Sequence, residues 1–183
     1  MSEYPVPDNK QYTELRNTFS NLSAVKEILE EVPKKNSDIV STSKLYSYAV
    51  GTLSYPNPEL EYLLKNSSSL RVAYYKMISN LAIYSLEIPM AASDDVELLP
   101  RSCDGCLIRF EKSQTRDDHW YVIIELSNDV KISPQNIVLI DKDKNCHKYS
   151  LPETRRGIIQ LLTNEKSDLL QLLKNPNMEV LLS

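Results

Sequence analysis

From Tyr12 onward, apolar residues recur at steps of three and four: Leu15, Phe19, Leu22, Val25 or Lys26, Leu29 and Val32. That spacing predicts an amphipathic helix, which Pro33 ends because proline lacks an amide donor and clashes with the turn before it. After a polar linker over 34–38, a second helical stretch is expected from Thr42 to Leu53, carrying Leu45, Tyr46, Tyr48, Ala49, Thr52 and Leu53. Tyr55-Pro-Asn-Pro stops it. Asn57 then offers a side-chain oxygen to a free helix amide, and Pro58 fits the first helical position, where no donor is needed. The short helix that follows carries Leu60, Leu63 and Leu64, and Ser67 to Ser69 supply caps for a longer one, Leu70 to Leu86.

The period changes after Pro89. Residues 93–102 read as a connecting segment, and beyond it short apolar or alternating runs predict strands at Cys106–Glu111, Trp120–Leu126, Asn136–Ile140, His147–Leu151, Gly157–Leu162 and Met178–Leu182. Asp141-Lys-Asp-Lys-Asn145 lies between two of these runs and reads as a hairpin loop. Strands this closely spaced favour antiparallel pairing, since a parallel sheet needs a crossover after each strand. One late helix, capped by Asn164 and carrying Leu169, Leu170, Leu172 and Leu173, interrupts the series before Asn175-Pro. The expected class is therefore α+β: an N-terminal helical segment, then a small antiparallel sheet or sandwich unit with one late helix. Its expected parts are a flexible tail over 1–11, a helical region over 12–92, the connecting segment over 93–102 and a β region over 103–183.

Composition narrows the chemistry. Only 3 glycines stand beside 10 prolines in 183 residues, and no GxGxxG or GxxxxGK is present, so the sequence carries no glycine-rich phosphate cradle. The net charge is −4, with 21 basic and 25 acidic residues. Arg101, Arg109, Arg116, Arg155 and Arg156, with Trp120 or Tyr121, could contact single-stranded nucleic acid, but interleaved acids such as Asp117, Asp118 and Glu153 argue for a mixed-charge surface instead. The N-terminus has no signal-peptide pattern and no stretch long and apolar enough to span a membrane, which points to a soluble, cytoplasmic protein. Three cysteines without a secretion signal are expected as thiols or metal ligands.

Cys103-Asp-Gly-Cys106 is the most specific local signal. A CxxC turn can present two thiolates to one tetrahedral zinc ion, with Cys146 and His147, or alternatively His119, completing the set. Adjacent Cys146 and His147 would point to opposite faces of a strand, which counts against their acting together. A thioredoxin-like use of the motif is disfavoured, because it opens a strand here and not a helix. With 2 histidines in the chain, acid–base catalysis would fall on carboxylates such as Glu30-Glu31, Asp94-Asp95 or Asp117-Asp118, which read as solvated surface.

The remaining peculiarity is tyrosine: of 11 in the chain, those at 46, 48, 55, 62, 74, 75 and 84 fall in or beside the expected helices. Tyr74 and Tyr75 lie about 100° apart on a helix, so burying both requires cover over a wide arc. A helical face with Arg71, Tyr74, Tyr75 and Ile78 is thus the expected contact surface of a non-enzymatic interaction or adaptor protein, working on a protein partner or as a homo-oligomer. The alternatives are a zinc-stabilised binding module using Cys103, Cys106, Cys146 and His147, and an enzyme with an unrecognised site. No other cofactor is expected.

Overall fold

A computed structural model describes residue 23 and residues 40–53, 56–86, 98–127 and 133–183. The expected tail, the expected first helix apart from Ser23, which is helical and exposed, and the acidic pairs Glu30-Glu31 and Asp94-Asp95 lie outside the described residues. The chain divides into two compact units, Met1–Asn80 and Leu81–Ser183. Helices α1 (Thr42–Val50), α2 (Pro58–Asn66) and α3 (Ser68–Leu81) form the first. Strands β1 (Tyr84–Leu86), β2 (Arg101–Cys103), β3 (Cys106–Lys112), β4 (His119–Leu126), β5 (Asn136–Ile140), β6 (Cys146–Ser150), β7 (Ile158–Asn164) and β8 (Glu179–Leu182) form the second, with helix α4 (Asp168–Lys174) between the last two. The α+β class with one late helix is therefore the observed one. Among the described residues no helix is long and apolar enough to cross a membrane.

Local chemistry accounts for the helix ends. Ser41 accepts from the Lys44 amide at the start of α1, and Gly51, at φ +84°, closes it in the left-handed region that glycine enters without penalty. The helix thus stops before the expected Leu53. Asn57 accepts from the Leu60 amide at 3.1 Å with Pro58 at the first position of α2, as the sequence indicates. Ser67 accepts from the Leu70 amide at 3.3 Å. The late helix is capped by Ser167, whose Oγ accepts from the Leu170 amide, and not by Asn164, which instead donates to Asp118.

Helix α3 ends at Leu81, five residues short of expectation. Tyr84 and Leu86 are buried on either side of exposed Ser85, a period of two that suits a strand, and β1 pairs with β8. Likewise β2 rises out of the expected connecting segment. All pairings are antiparallel, in two four-stranded sheets: sheet I in the order β1-β8-β5-β6 and sheet II in the order β2-β3-β4-β7. One hydrophobic core joins the inner faces of both sheets to α4: Ile108, Val122, Ile124 and Ile159 from sheet II, Ile137, Leu139, Val180 and Leu182 from sheet I, and Leu169, Leu170 and Leu173 from the helix. The loop between β5 and β6 is a hairpin held by the Asp141 carboxylate, which accepts from the Asp143 and Asn145 amides and the Asn145 side chain. Burial alone would raise that carboxyl's pKa, but these donors hold it below the ordinary carboxylate value.

Arg101 is 2% exposed although charged. Its guanidinium donates to the carbonyl oxygens of Met178 at 2.6 Å, Asn175 at 2.8 Å and Leu173 at 3.3 Å, closing the C-terminal end of α4 and the turn into β8. A cation is favourable there because the last carbonyls of a helix carry the negative end of its dipole.

Candidate functional site

Sheet II has one face in the core and one turned away from it. The register puts three rows on the outward face: Leu107, Glu125 and Ile158; Arg109, Ile123 and Gln160; Glu111, Tyr121 and Leu162. Arg109 donates to Glu125 at 2.7 Å and also pairs with Glu111, so the cation at the centre of β3 is held by acids on its own face. Beside it the face is apolar. Ile123 is buried, while Ile158 is 45% and Leu162 38% exposed.

Those two exposed residues belong to β7, the last strand of the sheet. Its sequence, Ile-Ile-Gln-Leu-Leu-Thr-Asn, has no charge and no proline. The chain enters it through a tight reversal in which Arg155 and Ile158 exchange backbone hydrogen bonds at 2.8 and 3.0 Å. Arg156 at φ +54° and Gly157 at φ +78° form that turn, and two successive positive φ values match the twist of paired strands. Beyond Ile158, no strand lies on the other side of β7 among the described residues. Natural sheets usually guard such an edge with lysine, proline or a bulge, because its free amides and carbonyls can template another strand.

The residues expected to form the helical contact face are placed otherwise. Tyr74 and Ile78 are each 3% exposed. The Tyr74 ring meets Tyr48 at 5.6 Å between centroids with the planes tilted by 32°, and the Tyr48 hydroxyl donates to Glu61 at 3.1 Å. Arg71 donates to the carbonyls of Leu64 at 3.1 Å and Lys65 at 2.9 Å, closing the end of α2 much as Arg101 closes α4. Tyr75 is half-buried. Two members of the expected face are therefore interior and a third caps a helix. Among the described tyrosines of this region, Tyr62 is the exposed one, at 68%.

The expected zinc set is divided. Cys103 and Cys106 face each other across the β2–β3 turn, whereas Cys146 opens β6 opposite Ile140 in sheet I. His147 follows Cys146 in that strand and so points to the opposite face. The Cys146 thiol donates to the Lys144 carbonyl, and burial, with Asp141 and Glu179 nearby, pushes it up to about 12. Among the described residues no three His, Cys, Asp or Glu side chains are grouped so that they could hold a metal ion. Chelator treatment is accordingly expected to leave the melting temperature unchanged, and a drop of several degrees in calorimetry would show a bound structural metal.

The remaining titratable candidates form small surface groups. His119 Nδ1 meets Asp118 Oδ1 at 2.8 Å, and the Asn164 amide donates to Asp118 Oδ2 at 2.8 Å. These contacts, His119 first, hold the Asp118 carboxyl below its ordinary value. Trp120 packs against the core, on the opposite face from Tyr121, so the two do not form one stacking platform for bases. Compared with known proteins, the chain matches no family model, no curated protein and no solved structure.

Proposed function

We propose that the chain is a non-enzymatic interaction module that pairs with a second copy of itself through the edge of β7. The observation that supports this reading is a seven-residue terminal strand without charge that leaves Ile158 and Leu162 exposed on one face. A two-fold contact sets the same surface against itself, so a charged strand would meet its own charge, whereas β7 meets none. Antiparallel pairing of two copies would join sheet II of each into one eight-stranded sheet, bond the β7 edge of each and set Ile158 and Leu162 beside the side chains of the partner strand. The contact surface thus moves from the Arg71, Tyr74, Tyr75 and Ile78 face to the sheet, because Tyr74 and Ile78 are already buried.

Light scattering coupled to size exclusion, run over a wide concentration range, tests the proposal. The wild-type chain is expected to be a dimer that dissociates on dilution. Leu162→Lys, which puts a charge at a strand junction that holds no acid, is expected to weaken the dimer by at least about tenfold while leaving the circular dichroism spectrum unchanged. A wild-type monomer at every concentration, or a Leu162→Lys dimer as strong as the parent, would overturn it.

A further inference from the structure

Cys103 and Cys106 are directly opposed partners at the end of the β2–β3 hairpin, separated by a two-residue turn. Opposed residues of an antiparallel pair have Cα atoms about 4.5–5.5 Å apart, within the roughly 4.4–6.8 Å that a disulfide spans. As directly opposed partners, both side chains leave the same face of the hairpin. The turn itself is fixed. Gly105 takes φ +76°, its carbonyl accepts from the Ser127 amide at 2.9 Å, and a Cβ placed on it would stand 3.1 Å from Ser127 Oγ and 3.6 Å from the Tyr84 ring. Little backbone movement therefore separates the dithiol from a closed bridge.

The two thiols differ in access. Cys103 is half-buried at the turn, and Cys106 is buried with its pKa pushed up to about 12 by that burial first and by Cys103 second. A buried thiol cannot reach a second molecule but can reach the sulfur beside it. We propose that Cys103 and Cys106 form a reversible intramolecular disulfide, with a low-molecular-weight disulfide such as oxidised glutathione as the oxidant.

In the first step the Cys103 thiolate attacks one glutathione sulfur, the glutathione S–S bond breaks, and one glutathione leaves as thiolate. In the second, Cys106 loses its proton and attacks the Cys103 sulfur, expelling the second glutathione. Two protein thiols are oxidised to one disulfide, one glutathione disulfide is reduced to two thiols, and the two protons end on those thiols. Once Cys103 is bound to glutathione it carries no negative charge, so its part in raising the Cys106 pKa disappears while that of burial stays. The bridge spans only the two turn residues and so constrains the unfolded chain little, which suits a redox-responsive bond better than a stabilising one. In the cytoplasm, bonds of this kind are transient and redox-sensing.

The test is equilibration of the full chain in glutathione buffers of graded redox ratio, followed by acid quench, alkylation and peptide mapping. The expected product is one bridge between Cys103 and Cys106, with Cys146 recovered as a thiol and full return to the dithiol under reducing ratios. A brief glutathione adduct on Cys103 is expected first, and Cys106→Ser should stop there. A glutathione adduct that persists in the wild-type chain, any bridge to Cys146 or between chains, or three free thiols at the most oxidising ratio would each overturn the proposal.

Discussion

Arg101→Ala is expected to lower the unfolding free energy of the β unit by about 3 kcal/mol, read from the midpoint of a urea titration. Three carbonyls, at the end of α4 and in the turn into β8, lose one charged donor, and Leu173 and Met178, which own two of them, are buried, so water replaces the lost bonds poorly. Hydrogen bonds to charged groups contribute about 1.5–3 kcal/mol where buried, and the cost of desolvating the guanidinium offsets part of that sum. Desolvation is also why the Arg101 pKa lies below its ordinary value. Arg101→Lys discriminates between charge and geometry. A planar fork reaches three oxygens from one position, whereas an ammonium on a flexible stem satisfies fewer, so lysine should recover less than half of the loss. A change below about 1 kcal/mol for alanine would mean that the end of α4 is held by packing alone.

That residue also marks where the sequence stops being legible. Helix caps and hairpin loops are local devices, and Asn57 with Pro58, Ser67 and the Asp141–Asn145 loop could be read directly because donor and acceptor lie within four residues of each other. Strands β3, β4, β5 and β7 announced themselves through alternation or short apolar runs. In contrast, β2 is Arg-Ser-Cys and shows no apolar period; Arg101 is buried only because carbonyls more than 70 positions later surround it. Strand β1 was hidden for a related reason. Tyr84 and Leu86 extend the apolar face of the preceding helix in sequence, and only pairing with β8 reveals their period of two.

The order of strands is the least local property of all, and the candidate site depends on it. Ile158 and Leu162 were visible as part of a strand, but their exposure follows from β7 being last in sheet II. The placement of the cysteines depends on the same property. Cys103 and Cys106 are near each other in the chain and near in space, whereas Cys146 and His147 could be added only by assuming which sheet β6 would join.

Tyr74→Ala is expected to destabilise the helical unit by about 3–4 kcal/mol, the usual loss when a fully buried aromatic side chain is truncated. Its ring is 3% exposed and meets Tyr48, which is itself 2% exposed and tied through its hydroxyl to Glu61. Removing the ring therefore opens a cavity and releases the neighbour that Glu61 positions. Tyr74→Phe keeps the ring pair and should cost no more than about 1 kcal/mol. Hydrogen exchange reads the effect where it occurs, through faster exchange of amides over 42–81 in the alanine variant. The same pair of variants separates the two candidate surfaces. If Tyr74 were a contact residue, alanine would weaken association while leaving exchange within the helices unchanged; an interior residue gives the reverse. Leu162→Lys mirrors this pattern, since a 38% exposed edge residue can be charged at little cost to folding while the strand junction is lost. Measuring exchange and association on both positions assigns each to core or contact by the sign of its two responses, without knowledge of any partner.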